Sequence, residues 1–310
     1  MTDYGHDLQF GTFITPLARP PMHAVDLAIV SERAGLDLVT FQDHPYQSTF
    51  HDTWTLLSYV ASRTERIHVS GNVLNLPLRQ PAVLARSAAS LDVLSGGRVE
   101  VGIGAGAMQD GIAAMGGRRL SPGESIVALE EAITIIREIW DTDKRGGVSV
   151  DGDHYQVVGA KRGPAPAHDI GIWIGAYKPR MLKLTGRVGD GWLPSLGFLP
   201  GGLPDLAEMN KHIDESAAIA GRDPVAVRRL LNISGQFGST NRGLLNGSPQ
   251  QWAEELADMT RRYGITGFLL ASDHALSIER FAGEVAPATR ELVAAMRTPI
   301  PLGAGSPITF

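Results

Sequence analysis

The chain has 310 residues, no cysteine, and 28 basic against 33 acidic residues, for a net charge of −5. This excludes disulfides, thiolate metal sites, cysteine nucleophiles and iron–sulfur clusters, and the mildly acidic balance argues against general nucleic-acid binding. With 43% hydrophobic residues, no apolar run near the roughly 18 residues of a membrane span and no signal-peptide pattern in MTDYGHDLQF, the expectation is one domain over 1–310, cytoplasmic, without a membrane partner.

The elements alternate. Leu8–Ile14 reads as strand, Met22–Ala34 as helix, and Gly35 as its C-terminal cap before a buried strand at Leu36–Phe41. Thr53–Arg63 is helical, Arg66–Leu74 strand, Pro81–Leu94 helix and Arg98–Ile103 strand. Ser121-Pro122-Gly123-Glu124 is a capping box with Pro in the first turn. The helix it opens carries Ile126, Leu129, Ile133, Ile136 and Trp140 on one face. Residues 147–158 read as a short extended insertion. Strand Ile170–Ala176, helix Arg180–Arg187, strand Gly191–Pro194, helix Leu206–Ala220 and strand Arg228–Gln236 follow. Ser248-Pro249-Gln250-Gln251 reads as a second capping box, opening a helix that Gly264 ends; Gly267–Ala271 is the last strand and Ile278–Met296 the closing helix. Eight strands alternating with helices in this length predict a closed (β/α)8 barrel with insertions in the strand-to-helix loops. In such a barrel, chemistry sits where strands end.

Four segments occupy strand ends. Asp43-His44, inside FQDHPY, pairs a carboxylate with an imidazole, a pattern suited to proton transfer and equally to a capped surface turn. Ser70 to Pro77, SGNVLNLP, suggests irregular backbone at the barrel mouth. Gly102 to Ala107, GIGAGA, superficially matches a dinucleotide fingerprint, but the next helix with a clear start signal begins only near Pro122; what it does say is that something approaches the backbone closely there. Gly175-Ala176-Tyr177 runs into a helix start, a ready anion site to which Lys178 and Arg180 add charge. Trp192 reads equally as core or ligand contact. The nine histidines contain no H-x-H pair and no HExxH; any metal ligands would have to be scattered, as in His44, His51 and Asp52, and no metal is expected.

The order of GLDLVTFQDHPY, NVLNLPLRQPAVLAR, LSGGRVEVGIGAG, DIGIWIGAYKPRMLKLTGRVGDGW and SIERFAGEVAPATREL resembles the bacterial luciferase-like monooxygenase superfamily, and within it the branch that uses the deazaflavin coenzyme F420. The resemblance covers Phe10 to about Glu291. It implies a TIM barrel with an insertion between strand seven and the barrel's end or in nearby loops, cofactor at the C-terminal face, and a homodimer. It implies an oxidoreductase moving a hydride between F420 and a small organic substrate, with His44 as proton donor or acceptor and Asp43 as its partner or a hydrogen-bonding group at the ring. It places a non-proline cis peptide at Asn72-Val73 behind the ring, Asn75 at the ring's edge, Gly104, Ala105 and Gly106 along the cofactor, Gly175, Ala176 and Tyr177 at its phosphate, and Trp192 near the ring. Ala107 departs from the catalytic Glu of sugar-phosphate-oxidising members, and Tyr177 from a frequent Gly. The alternative on the same barrel is an FMN-dependent monooxygenase using oxygen and reduced flavin from a separate reductase.

Overall fold

A computed structural model describes residues 2–298. Eight parallel strands form the wall: β1 Gln9–Ile14, β2 Leu38–Phe41, β3 His68–Gly71, β4 Val99–Gly104, β5 Ile172–Ile174, β6 Gly191–Trp192, β7 Arg228–Ile233 and β8 Gly267–Ala271. Each pairs with the next. β8 pairs with β1 in the register Gln9↔Gly267, and the two-residue strand Leu74–Asn75 extends the mouth edge by pairing with β4. The barrel is therefore closed and has no free edge. The alternation of the sequence gives this result because parallel neighbours need helical crossovers, and those crossovers bury the outer strand face.

Two apolar layers result. The larger packs the outer strand faces against the helices, with Phe10, Val39, Val69, Val101 and Ile172 meeting Leu56, Leu84, Ile133 and Ile136. A smaller cluster, Leu38, Trp173, Leu193, Leu230 and Leu269 with Phe13 and Val73, fills the barrel interior. The channel is thus a packed floor beneath the mouth, not a pore.

The main helices are α1 His23–Arg33, α2 Thr53–Arg63, α3 Pro81–Ser95, α4 Pro122–Trp140, α5 Pro179–Val188, α6 Asp205–Ile219 and α7 Pro249–Tyr263. The capping box at Ser121 forms in full. At Ser248 only half of it does: the hydroxyl accepts from Gln251 N, while the Gln251 side chain turns to Gly243 O and Glu255 instead. The closing helix is interrupted by a π-turn at Phe281–Val285 between Ala275–Arg280 and Ala286–Arg297. The implied insertion near strand seven is present but is not the largest. The longest connection runs from β4 to β5 and holds a short helix, Gln109–Ala114, then α4, then an antiparallel hairpin of Val148–Asp151 with Gln156–Ala160. That hairpin follows α4, so it lies in a helix-to-strand connection. After β7 only Gln236–Phe237 and Asn246–Gly247 pair as extra strands. Among the described residues, no helix is long and apolar enough to cross a membrane.

Candidate active site

The strand ends bring most of the expected residues together, but not with the expected partners. Asp43, 2% exposed, does not pair with His44. Its carboxylate accepts from Asn75 N at 2.8 Å and from Arg79 Nε and Nη2 at 2.7 and 2.8 Å. A buried carboxylate needs such a partner, and Arg supplies two parallel donors. His44 Nδ1 instead shares a 2.6 Å hydrogen bond with Tyr46 Oη. Burial, the largest influence, pushes the His44 imidazole below its usual range, and the Asp43 charge only partly opposes this. Burial pushes the Tyr46 phenol up, with Asp43 adding to it, so Tyr46 keeps its proton.

The floor of the mouth is an amide network. Asn72 Nδ2 donates to Asn232 Oδ1 at 2.7 Å and to Thr40 Oγ1 at 3.0 Å. Asn232 Nδ2 returns a bond to Asn72 Oδ1 and donates to Ser195 Oγ, both at 3.0 Å. The Asn72-Val73 peptide is cis, and Val73 packs down into the interior cluster. A Cβ at Gly104 would lie 2.6 Å from Val73 Cγ2, and one at Gly175 would lie 3.2 Å from it. What approaches these two glycines is therefore Val73. Gly102 likewise lies within strand β4 against Gly71 O, so the first half of the GIGAGA run is barrel wall and not a dinucleotide loop. Above this floor, Asn75 Oδ1 is buried without a hydrogen-bond partner.

Beyond β5, the backbone N–H groups of Ala176, Tyr177 and Lys178 find no acceptor among the described residues, and α5 begins at Pro179. Tyr177 is turned aside: its hydroxyl accepts from Ser195 N at 2.8 Å and its ring meets Phe198 edge-on. Trp192 departs from the expected ring contact. It is fully buried and donates from Nε1 to Ala176 O at 2.9 Å, which fixes the segment from behind. Gly106 has φ +83° and lies over Pro77, while Ala105 is half-buried beside it. On the far side of the mouth, Phe13, Thr15, Gln42, Phe237, Asp273 and His274 help line a cavity of about 620 Å³. A larger one, about 800 Å³, lies between α2 and α3 on the outer wall, away from the strand ends. The imagined metal set does not converge: His51 Nε2 bonds Pro21 O, and Asp52 caps α2 and pairs with Arg79.

Three residues escaped sequence reasoning. Arg79 is 36 positions from its carboxylate, and its only signal is that a buried Asp43 requires a cation. Asn232 was detectable as the one amide in the apolar run of β7. Tyr46 stood in a quoted segment without a role.

The family profile described as luciferase-like monooxygenase matches residues 7–243. An F420-dependent glucose-6-phosphate dehydrogenase from Nocardia farcinica is 30% identical over 287 residues, 89% of this chain and 83% of that protein. One of the same description from Amycolatopsis mediterranei is 36% identical over 183 residues, 57% of this chain and 54% of its own length. Among solved structures, an F420-dependent secondary alcohol dehydrogenase in complex with an F420–acetone adduct superposes with a TM-score of 0.80 at 20% identity, covering 92% of this chain and 99% of that one.

Proposed function

The chain belongs to the luciferase-like monooxygenase family, and we propose that within it the protein is an F420-dependent oxidoreductase acting on a small organic substrate. The observation that carries the reading is the mouth itself. A half-buried imidazole stands on Tyr46, and a buried Asn75 Oδ1 without a partner lies over a rigid amide floor. The residues present fit a deazaflavin: Asn75 and the Asn72-Val73 backbone would face its ring, and the free N–H groups of Ala176 and Tyr177 before α5 would hold its phosphate. When bound, F420 supplies the carbon that accepts or gives the hydride.

The protein's part is orientation and proton handling. When a substrate C–H bond gives up a hydride, the adjoining O–H or N–H proton needs a base. With Nδ1–H donated to Tyr46 Oη, His44 Nε2 has a lone pair to take that proton. Burial keeps the imidazole neutral at pH 7, so this base form persists to lower pH than for an exposed histidine. Asp43 acts as a positioning residue: clamped by Arg79, it holds Asn75 N and thereby the edge of the ring site. Position 107 holds Ala and no carboxylate, which sets the proposed substrate apart from sugar phosphates. The homodimer and the cytoplasmic location belong to the same reading. The groove between α2 and α3, with Val83 65% and Leu94 84% exposed, offers an apolar face for a second copy, and sedimentation of the purified chain checks it.

The test is His44→Ala. Turnover with F420 should fall roughly 10²–10⁴-fold, with a much smaller change in F420 affinity. Turnover near that of the wild type would remove His44 from the mechanism.

A further inference from the structure

The opposite rim of the barrel holds a second cluster. His68 opens β3, Glu100 lies at the start of β4, and His168 sits on the connection entering β5. Glu100 Oε1 is 3.6 Å from His68 Nδ1 and 3.5 Å from His168 Nε2. Both separations exceed a good hydrogen bond, so His168 Nε2 is buried without a close partner, while its Nδ1 faces Asp92 Oδ1 at 2.9 Å. Three ligand-type atoms thus converge, all within 4.8 Å of one another.

We propose that this cluster is a binding site for a divalent transition-metal ion of the zinc type, with His68 Nδ1, Glu100 Oε1 and His168 Nε2 as ligands and water completing the set. Two ligand atoms on a tetrahedral zinc, each about 2.0–2.1 Å from it, are about 3.3–3.4 Å apart, close to the spacings here. Two imidazoles and a carboxylate are a ligand set that borderline divalent ions favour. The supports are in place. Glu100 Oε2 accepts from Gly171 N at 2.7 Å, which fixes the carboxylate. The buried Asp92 accepts from the Ala167 and His168 backbone N–H groups and sets Oδ1 2.9 Å from His168 Nδ1, the outer carboxylate that metal-bound histidines commonly have. The two imidazole rings stand at 84° to each other. Arg228 lies near enough to feel the Glu100 charge and offsets part of the negative potential. A bound ion would clamp three consecutive strands at the end of the barrel away from the mouth. From Glu100 to Gly104 is four strand residues, roughly 13 Å at about 3.3 Å each, so the mouth would be little affected.

The competing occupant is a proton on His168, bridging the two carboxylates. Untagged full-length protein, stripped with chelator, is titrated at pH 8 with Zn²⁺ by calorimetry and with Co²⁺ by visible absorption. The proposal expects saturable binding of one ion per chain, a four- or five-coordinate Co²⁺ spectrum and a raised Tm. In His68→Gln, whose side chain is 38% exposed and which should fold normally, affinity should drop at least about 100-fold, and Glu100→Gln should do the same. Absence of saturable binding in the wild type, or equal binding by His68→Gln, would overturn the proposal and leave the cluster to the proton.

Discussion

The two ends of the barrel each place a histidine close to carboxylates, and the two imidazoles are driven in opposite directions. At the mouth, Asp43 is already committed to Arg79, so burial dominates and His44 is pushed towards its neutral form. At the rim, Glu100 raises the affinity of His168 for a proton most, burial opposes it and Asp92 adds to it, and the imidazole is pushed up to about 9. Neither carboxylate there has an arginine pair among the described residues. The residue type is the same; what differs is whether the neighbouring anion has been spent on another cation. A neutral imidazole suits proton exchange with a substrate, whereas one locked between two carboxylates suits a static tie or an ion.

The largest expected effect that can break this contrast is on turnover. His44→Ala should lose roughly 10²–10⁴-fold, while His168→Gln should leave turnover within a few-fold. Comparable losses in steady-state assays of the two variants would erase the distinction between the ends. Next comes Arg79→Met, which leaves Asp43 buried and uncompensated. Breaking such a pair costs about 3–5 kcal/mol, and chemical denaturation should show it; a loss below about 1 kcal/mol would mean that Asp43 is not held by Arg79. The double variant Arg79→Met with Asp43→Asn should recover part of the loss.

A smaller effect tests the floor. Asn232→Ala removes both amide bonds to Asn72 and should cost about 1–3 kcal/mol, since a buried amide loses its partners. Unchanged stability would mean that water replaces the lost amide at no cost. The smallest effect is in the pH profiles. The depressed pKa of His44 makes its contribution to stability present above its unfolded value, about 6.5, and lost as pH falls through the lower folded value. His168 runs the other way in ion-free protein: its contribution is full below about 6.5 and lost as pH rises through about 9. His44→Gln should therefore flatten the acid side of the stability curve and His168→Gln the alkaline side. A swap of the two sides would contradict the assignment.

How much of this was legible in the sequence follows the same division. The barrel was, because parallel strands buried on both faces give apolar runs such as Ile172–Ile174 and Gly267–Ala271, with helical periodicity between them. The mouth was legible as well, because Asp43-His44, Asn72-Val73 and Gly175–Tyr177 are contiguous pieces that follow strands. Their pairings were not: adjacency in the chain suggested an Asp43–His44 dyad, whereas the backbone turn sends one side chain to Arg79 and the other to Tyr46. Trp192 looked equally like a ligand contact and a core residue, and only its complete burial decides for the wall. The rim cluster left no local trace, because His68, Glu100 and His168 come from three separate segments that meet only through strand pairing.

The central claim is that the mouth is built for a deazaflavin, and parallel titration of the purified chain with F420 and FMN tests it most directly, in wild type and in Gly175→Asp. The account predicts saturable, tighter binding of F420 by the wild type. It also predicts a marked loss in the variant, where a carboxylate stands beside the free N–H groups before α5 and the added Cβ needs only a small adjustment of Val73. Tight binding of FMN alone, or F420 affinity unchanged by Gly175→Asp in a folded variant, would contradict it.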